Sequence, residues 1–286
     1  MILVTGATGT IGRYVLSALP ADGVALRATT RRPEIADAHE HYTLMDLADR
    51  STVEAAVEGV DVVILNSSQH PSMAEHQIGL VEAAQDAGVG HIVKVSAGSA
   101  ATGVDSRSWV GRAHAAVEAR MRSSSSGWTI LRPNYFMQNL LTLAPAITAG
   151  ALPIALRTQR LAVVDARDIA AVAATVARAP RLHHEKIYDL TGPESLTGAD
   201  MSACLSETMG TEVRHAPLSL DQLRADLAAT KMPDWLQEHL VELMSIYAED
   251  PTVGYVSPDV EKVTGRVPRS LRDFARDHSA VFGAAS

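Results

Sequence analysis

Met1-Ile2-Leu3-Val4-Thr5-Gly6-Ala7-Thr8-Gly9-Thr10-Ile11-Gly12 opens the chain and decides how the rest is read. A short apolar run leads into glycines at 6, 9 and 12, and a segment of helical period, Ile11–Leu19, follows. In a strand–turn–helix unit each glycine has its own task. Gly6 permits the tight turn out of the strand, Gly9 admits a diphosphate close to the backbone, and Gly12 lets helix and strand pack together. The helix start then offers unpaired N–H groups and a partial positive charge to an anion. A glycine triplet alone is weak; its place at the first strand–helix junction makes it a dinucleotide signal.

The next apolar run, Ala25–Thr30, ends in Thr29-Thr30-Arg31-Arg32-Pro33, and no carboxylate follows before Glu34. An acidic residue here would hold a ribose 2′-hydroxyl and repel a 2′-phosphate; an arginine attracts that phosphate and bonds it bidentately. Arg31 therefore points to NADP(H) over NAD(H), with NAD(H) still possible. Arg32 is read as solvated.

Further strands are expected at Asp61–Asn66, His91–Ser96 and Trp128–Arg132, with helical patterns at Ser51–Val57, Met73–Ala87 and His114–Arg122. Strands alternating with helices imply βαβ crossovers and a parallel sheet. The expected fold is a Rossmann-type, doubly wound α/β sheet over residues 1–150. Residues 151–286 are expected to form a mixed α+β, substrate-binding part with strands returning to the core. Within it Ala162–Asp165 and Lys186–Leu190 read as strands and Asp168–Ala179 as a helix, with Asp168 as its N-cap or a buried ion-pair partner. Residues 219–250 are helical in pattern and rich in Leu, Met and Trp, as a cap over an apolar substrate would be.

Composition narrows the function. The chain has 286 residues, a net charge of −8 and 47 % hydrophobic residues, which suits a globular core and disfavours nucleic acid as a partner. Cys204 is the single cysteine and is read as an inert buried thiol, so no internal disulfide is expected. The N-terminus lacks the basic start of a targeting peptide and no apolar run is long enough to span a membrane, so a soluble, cytoplasmic protein is expected, as monomer or homodimer. The histidines at 70, 76, 183 and 184 do not have zinc-site spacing, and a Gly-x-Ser-x-Gly elbow is missing.

Taken with the glycine turn and TRRP, the segments VKVSAGSA (93–100), GRAHAAVEARMRSSSSGWTILRPNYFMQNLL (111–141), VVDARDIAAVAATV (163–176) and YDLTGPESLTG (188–198) make a joint pattern. It resembles the NmrA-like group of atypical short-chain dehydrogenases/reductases over roughly residues 1–215. That group includes NAD(P)H:quinone oxidoreductases, triphenylmethane reductases and ligand-sensing regulators. The resemblance implies that Thr8, Gly9, Thr10 and Ile11 lie in the pyrophosphate turn, with Arg31 at the adenosine-phosphate position. It places Asp46 and Leu47 beside the adenine, Asn66 with Ser67 and Ser96 with Ala97 at strand ends, and Pro133, Asn134, Tyr135 and Phe136 against the nicotinamide.

One departure matters. The wider superfamily uses a tyrosine and a lysine four residues later as its proton-transfer pair. In the register of the His114–Arg122 helix the lysine place holds His114, four residues before Glu118, and the tyrosine place, four residues earlier, holds Val110, which cannot donate a proton. Three roles are open to His114: general acid, contact with the nicotinamide ribose, or a structural hydrogen bond. The reading that follows is an NADP(H)-dependent reductase of a quinone-like or aromatic acceptor. The alternative is a dinucleotide-sensing protein without turnover, which the missing pair favours. A cofactor-using isomerase or dehydratase is a third.

Overall fold

In a computed structural model the described residues are 1–19, 23–156 and 158–283. They fall into two compact units that interleave along the chain. One comprises 1–97, 110–132 and 166–188; the other comprises 98–109, 133–165 and 189–286.

The first unit is built on β1 (Ile2–Val4), β2 (Leu26–Thr30), β3 (Tyr42–Leu44), β4 (Val62–Leu65), β5 (His91–Val95) and β6 (Gly127–Pro133). With β7 (Ala151–Leu152) and β9 (Arg214–His215) paired elsewhere, β8 (Lys186–Leu190) completes a seven-stranded sheet of order β3-β2-β1-β4-β5-β6-β8. Pairing is parallel from β3 through β6, with Ile2 opposite both Leu26 and Val62, Val62 opposite His91, and His91 opposite Gly127. Such strands are covered on both faces, which is why β4 is the unbroken run Val-Val-Ile-Leu, all buried.

Helices α1 (Thr10–Ala18), α2 (Pro33–Ala38), α3 (Arg50–Val57), α4 (Met73–Asp86) and α5 (Trp109–Arg122) supply the crossovers. On one face Leu3, Leu65 and Ile92 of the strands pack with Leu80 and Met121 of α4 and α5. On the other face α1 packs against α8 (Ala166–Arg178), and the Arg178 guanidinium donates to the Ala18 carbonyl.

The strand order turns back at β1, with β2 and β3 on one side and β4 to β6 on the other. In open α/β sheets the crevice at the carboxyl ends of the strands flanking that reversal is where ligands bind.

The second unit carries α6 (Asn139–Thr142), α7 (Ala144–Thr148), α9 (Gly198–Met209), α10 (Leu220–Ala228), α11 (Asp234–Glu249), α12 (Asp259–Thr264) and α13 (Leu271–Asp277), with the parallel pair β7–β9. Its core gathers Met137, Leu140, Leu161, Leu205, Phe274 and Phe282. Capping boxes start α9 (Thr197 with Asp200), α10 (Ser219 with Gln222) and α13 (Ser270 with Asp273), each satisfying donors that a helix start leaves unpaired. Among the described residues no helix is long and apolar enough to cross a membrane.

Several sequence expectations need correction. Ala162–Asp165 is buried but is not a strand; Val164 makes an isolated bridge to Phe136, and Leu161 just before the segment makes another to Leu196. Burial on all sides gave it the apolar run of a parallel strand without a ladder. The helix expected at His114–Arg122 begins earlier, at Trp109. Asp168 is not an N-cap: it lies buried in the first turn of α8, and Asp165 precedes that helix. The expected 219–250 helix is two, parted by Pro233. Cys204 is half-buried rather than fully enclosed, and burial pushes its thiol pKa up, which keeps it protonated and unreactive.

Candidate functional site

Gly6 turns the chain out of β1 with φ of +59°, a conformation that L side chains rarely adopt. Gly12 is required by contact: a Cβ there would lie 2.2 Å from the Gly6 carbonyl oxygen and 2.6 Å from Ala7 Cα. Gly9 is the N-cap of α1, no side chain caps that helix, and its first turn holds no acidic residue. Gly9 and Thr10 are exposed, whereas Ile11 and Gly12 are buried. The Gly9 N–H donates to the Gly6 carbonyl at 3.0 Å, and an exposed helix start without a side-chain cap behind such a glycine turn fits a diphosphate. Thr8 lies half-buried in the same turn. The Thr5 hydroxyl fixes the turn against β4, donating to the Asn66 carbonyl at 2.7 Å and accepting from the Asn66 N–H at 2.9 Å.

The other sequence-derived positions of this unit line up along the same sheet edge. Arg31 follows β2 and is exposed. Asp46 and Leu47 follow β3, where Asp46 Oδ1 accepts from the Ala48 N–H and Thr52 Oγ1 accepts from the Asp46 N–H, both at 3.0 Å. Asn66 and Ser67 follow β4, and Ser96 and Ala97 follow β5. Arg32 begins α2, its N–H donating to Thr30 Oγ1.

His114 and Glu118 are both buried on α5, one helical turn apart. Glu118 is a junction: its carboxylate accepts from Ser96 Oγ at 2.7 Å, from Arg132 Nη2 at 2.6 Å and Nε at 3.2 Å, and from Arg122 Nη2 at 3.2 Å. A carboxylate that is 2 % exposed persists in the core because two guanidiniums and a hydroxyl replace its water. The sequence reading placed Glu118 in register but missed this role, since its partners come from β5, β6 and its own helix.

Sequence reasoning also missed Lys94. It is fully buried in β5, donates from Nζ to Gln77 Oε1 at 2.6 Å, and burial pulls its pKa down to about 7. A charged residue inside an otherwise apolar strand was the available signal.

In the second unit Pro133, where β6 ends, leads into Asn134, Tyr135 and Phe136. Asn134 is pinned: its N–H donates to the Leu190 carbonyl at 2.9 Å, its Nδ2 donates to the Val253 carbonyl at 2.7 Å, and its Oδ1 accepts from the Tyr135 N–H at 2.8 Å. The Tyr135 ring meets Tyr247 edge-on at 5.7 Å, and burial pushes the Tyr135 phenol up to about 12, so it stays protonated at neutral pH. Phe136 bridges to Val164. The α10–α11 region holds a cavity of about 580 Å³ whose lining includes Leu220, Leu227, Val241, Arg107 and Arg224.

Two buried histidines make stability pH-dependent. Burial lowers His91 to about 4, with His184 and His183 nearby adding to the effect, and burial lowers His239 to about 4. Both rings are neutral in the fold, and the unfolded chain binds their protons first as pH falls. Their contribution is therefore whole above pH ~6.5 and is lost as pH falls toward 4. The urea midpoint is expected to drop across that window, and His239→Phe to flatten the drop. Parallel pH curves for the variant and the parent would refute the assignment.

Comparison with known proteins agrees with the geometry. The NmrA-like family model matches residues 1–276. An NAD(P)H azoreductase of Xenophilus azovorans is 36 % identical over the whole of both chains. Quinone oxidoreductase 2 of Escherichia coli is 30 % identical over 85 % of this chain and 86 % of its own. The structure of an Escherichia coli NADPH-dependent quinone oxidoreductase bound to NADPH superposes with a TM-score of 0.86 and 27 % identity, covering 97 % of this chain and 99 % of that one. With its glycine turn, its strand order and its sequence all in agreement, the chain belongs to the NmrA-like family.

Proposed function

We propose that the protein is an NADP(H)-dependent oxidoreductase that passes hydride to a hydrophobic, quinone-like or aromatic acceptor. The observation that carries this reading is the uncapped start of α1 behind the glycine turn, with a free-standing basic residue, Arg31, past the neighbouring strand and no carboxylate before Glu34. The azoreductase and quinone oxidoreductase relatives support a nicotinamide-dependent reductase of conjugated acceptors.

The amides of Thr10 to Gly12 would hold the diphosphate, and Arg31 the 2′-phosphate. Asp46 and Leu47 would border the adenine, and Asn66, Ser67, Ser96 and Ala97 the nicotinamide half, with Pro133 to Phe136 against the ring. When bound, the nicotinamide supplies the hydride. The residues of this chain contribute position and exclusion of water, which suffices for an acceptor electrophilic enough to need little proton assistance. The apolar wall of α10 and α11 suits such an acceptor, and His114 is the available proton donor or ribose contact.

A panel of quinones and azo dyes, followed through loss of the reduced cofactor's absorbance, tests the reading. Turnover with NADPH is expected. Tight binding without turnover on any acceptor would replace it with the sensor reading, which Val110 and His114 in the places of the proton-transfer pair favour. For His114→Ala a fall in kcat of about 100-fold assigns proton transfer. A raised KM for NADPH at constant kcat assigns the ribose contact, and unchanged kinetics reject both.

A further inference from the structure

We propose that Lys94 is a positioning residue for the dinucleotide: acting through Gln77, it sets the orientation of the Ser67 hydroxyl without touching the ligand. The inference rests on the dinucleotide reading above.

Lys94, Gln77 and Ser67 come from β5, α4 and the segment after β4, and they form one directed chain. The Lys94 ammonium has donors and no acceptor, so the group it meets at 2.6 Å must be the Gln77 carbonyl oxygen. That fixes which way round the Gln77 amide stands. Its Nε2 then faces Ser67 Oγ at 2.8 Å and donates to it. The Ser67 hydroxyl, receiving that bond, sends its own proton to the Ser68 carbonyl at 3.1 Å. One lone pair of Ser67 is left, so the hydroxyl is presented as an acceptor for a ligand donor such as a ribose hydroxyl. Were the Gln77 amide free to flip, Ser67 would face an oxygen and its proton would turn toward it.

The opposite charge near Lys94 is Glu118, which favours the ammonium and also takes the Ser96 hydroxyl at 2.7 Å. Lys94 thus stands between two arms that end at Ser67 and at Ser96, past neighbouring strands on the ligand-binding edge of the sheet.

Packing gives no reason for a lysine here. A methionine would fill the same length of β5 without desolvating a charge. Burial pulls the Lys94 ammonium down to about 7, a sign of how strongly the site resists the charge it carries. What the charge supplies is direction in the chain from Gln77 to Ser67.

Lys94→Met and Gln77→Glu, measured on the full chain with NADPH and with adenosine 2′,5′-bisphosphate, test the proposal. The bisphosphate spans only the adenine half of the ligand. For Lys94→Met the dissociation constant for NADPH is expected to rise about tenfold, while that for the bisphosphate stays within twofold. Gln77→Glu keeps an acceptor for Lys94 as an ion pair but cannot donate to Ser67. It is expected to fold as the parent does and to lose NADPH affinity to the same extent, so it carries the test if Lys94→Met does not fold. Parental affinity for NADPH in Gln77→Glu would overturn the proposal, as would equal weakening of both probes in a folded variant. A parent chain that binds neither probe overturns the dinucleotide reading itself, an outcome distinct from these.

Discussion

Gly12→Ala is expected to raise the dissociation constant for NADPH by at least about 100-fold, equivalent to about 2.7 kcal/mol. The added Cβ would sit 2.2 Å from the Gly6 carbonyl oxygen and 2.6 Å from Ala7 Cα, and both neighbours are backbone. A flexible side chain swings aside from such an intrusion; a carbonyl in a turn at positive φ moves only with the whole turn. Either α1 withdraws from β1 or the Gly6–Gly9 loop opens, and both carry the amides away from the diphosphate. The comparison variant is Gly79→Ala in α4, where nothing lies within 4 Å of the added carbon. It removes backbone freedom from the middle of a helix and should stabilise the fold by about 0.5–1 kcal/mol without changing cofactor affinity. Titration calorimetry and thermal melts on the two variants check both halves. Gly12→Ala binding as well as the parent would mean that the turn is not a diphosphate cradle.

The second large effect concerns cofactor choice. Arg31→Ala is expected to weaken NADPH by about 10- to 100-fold and NADH by less than about threefold, because a charge-assisted bond to a phosphate contributes about 1.5–3 kcal/mol. Arg31 is exposed, so the fold does not depend on it and the melting temperature should stay constant. Arg31→Asp goes further: a carboxylate past β2 suits a ribose 2′-hydroxyl and repels the phosphate, so preference should turn toward NADH. Kinetics with each cofactor at a fixed quinone concentration give the ratio. Equal weakening of both cofactors by Arg31→Ala would remove the phosphate role from this residue.

How far the sequence could be read follows from how local each feature is. The turn at Gly6–Gly12 was legible because its glycines, its strand and its helix adjoin in sequence, and β2, β4, β5 and β6 announced themselves by apolar runs between turns. β3 gave no such signal. Tyr42–Leu44 is three residues long and only partly buried, at the edge of the sheet, so it lacks the apolar run of its neighbours. Residues 162–165 misled in the opposite sense, since burial alone produced a strand-like composition.

Features that depend on distant partners were out of reach. The carboxylate partners of Glu118, Arg132 and Ser96, come from other elements, as does Gln77 at the Lys94 ammonium, so sequence spacing does not show them. The interleaving of the two units was hidden for the same reason: residues 98–109 and 166–188 each leave the unit that precedes them in the chain. The candidate positions that follow strands share one edge because a parallel sheet delivers consecutive carboxyl ends there, whatever the lengths of the crossovers between them.

Isothermal titration of the full chain with NADPH and, separately, with NADH is the most direct test of the central claim that the β1–α1 turn and Arg31 build a site for a phosphorylated dinucleotide. Saturable binding with a dissociation constant in the micromolar range or below for NADPH, and at least tenfold weaker binding of NADH, is expected. No heat with either nucleotide, confirmed by unchanged melting temperature at millimolar ligand, would contradict it.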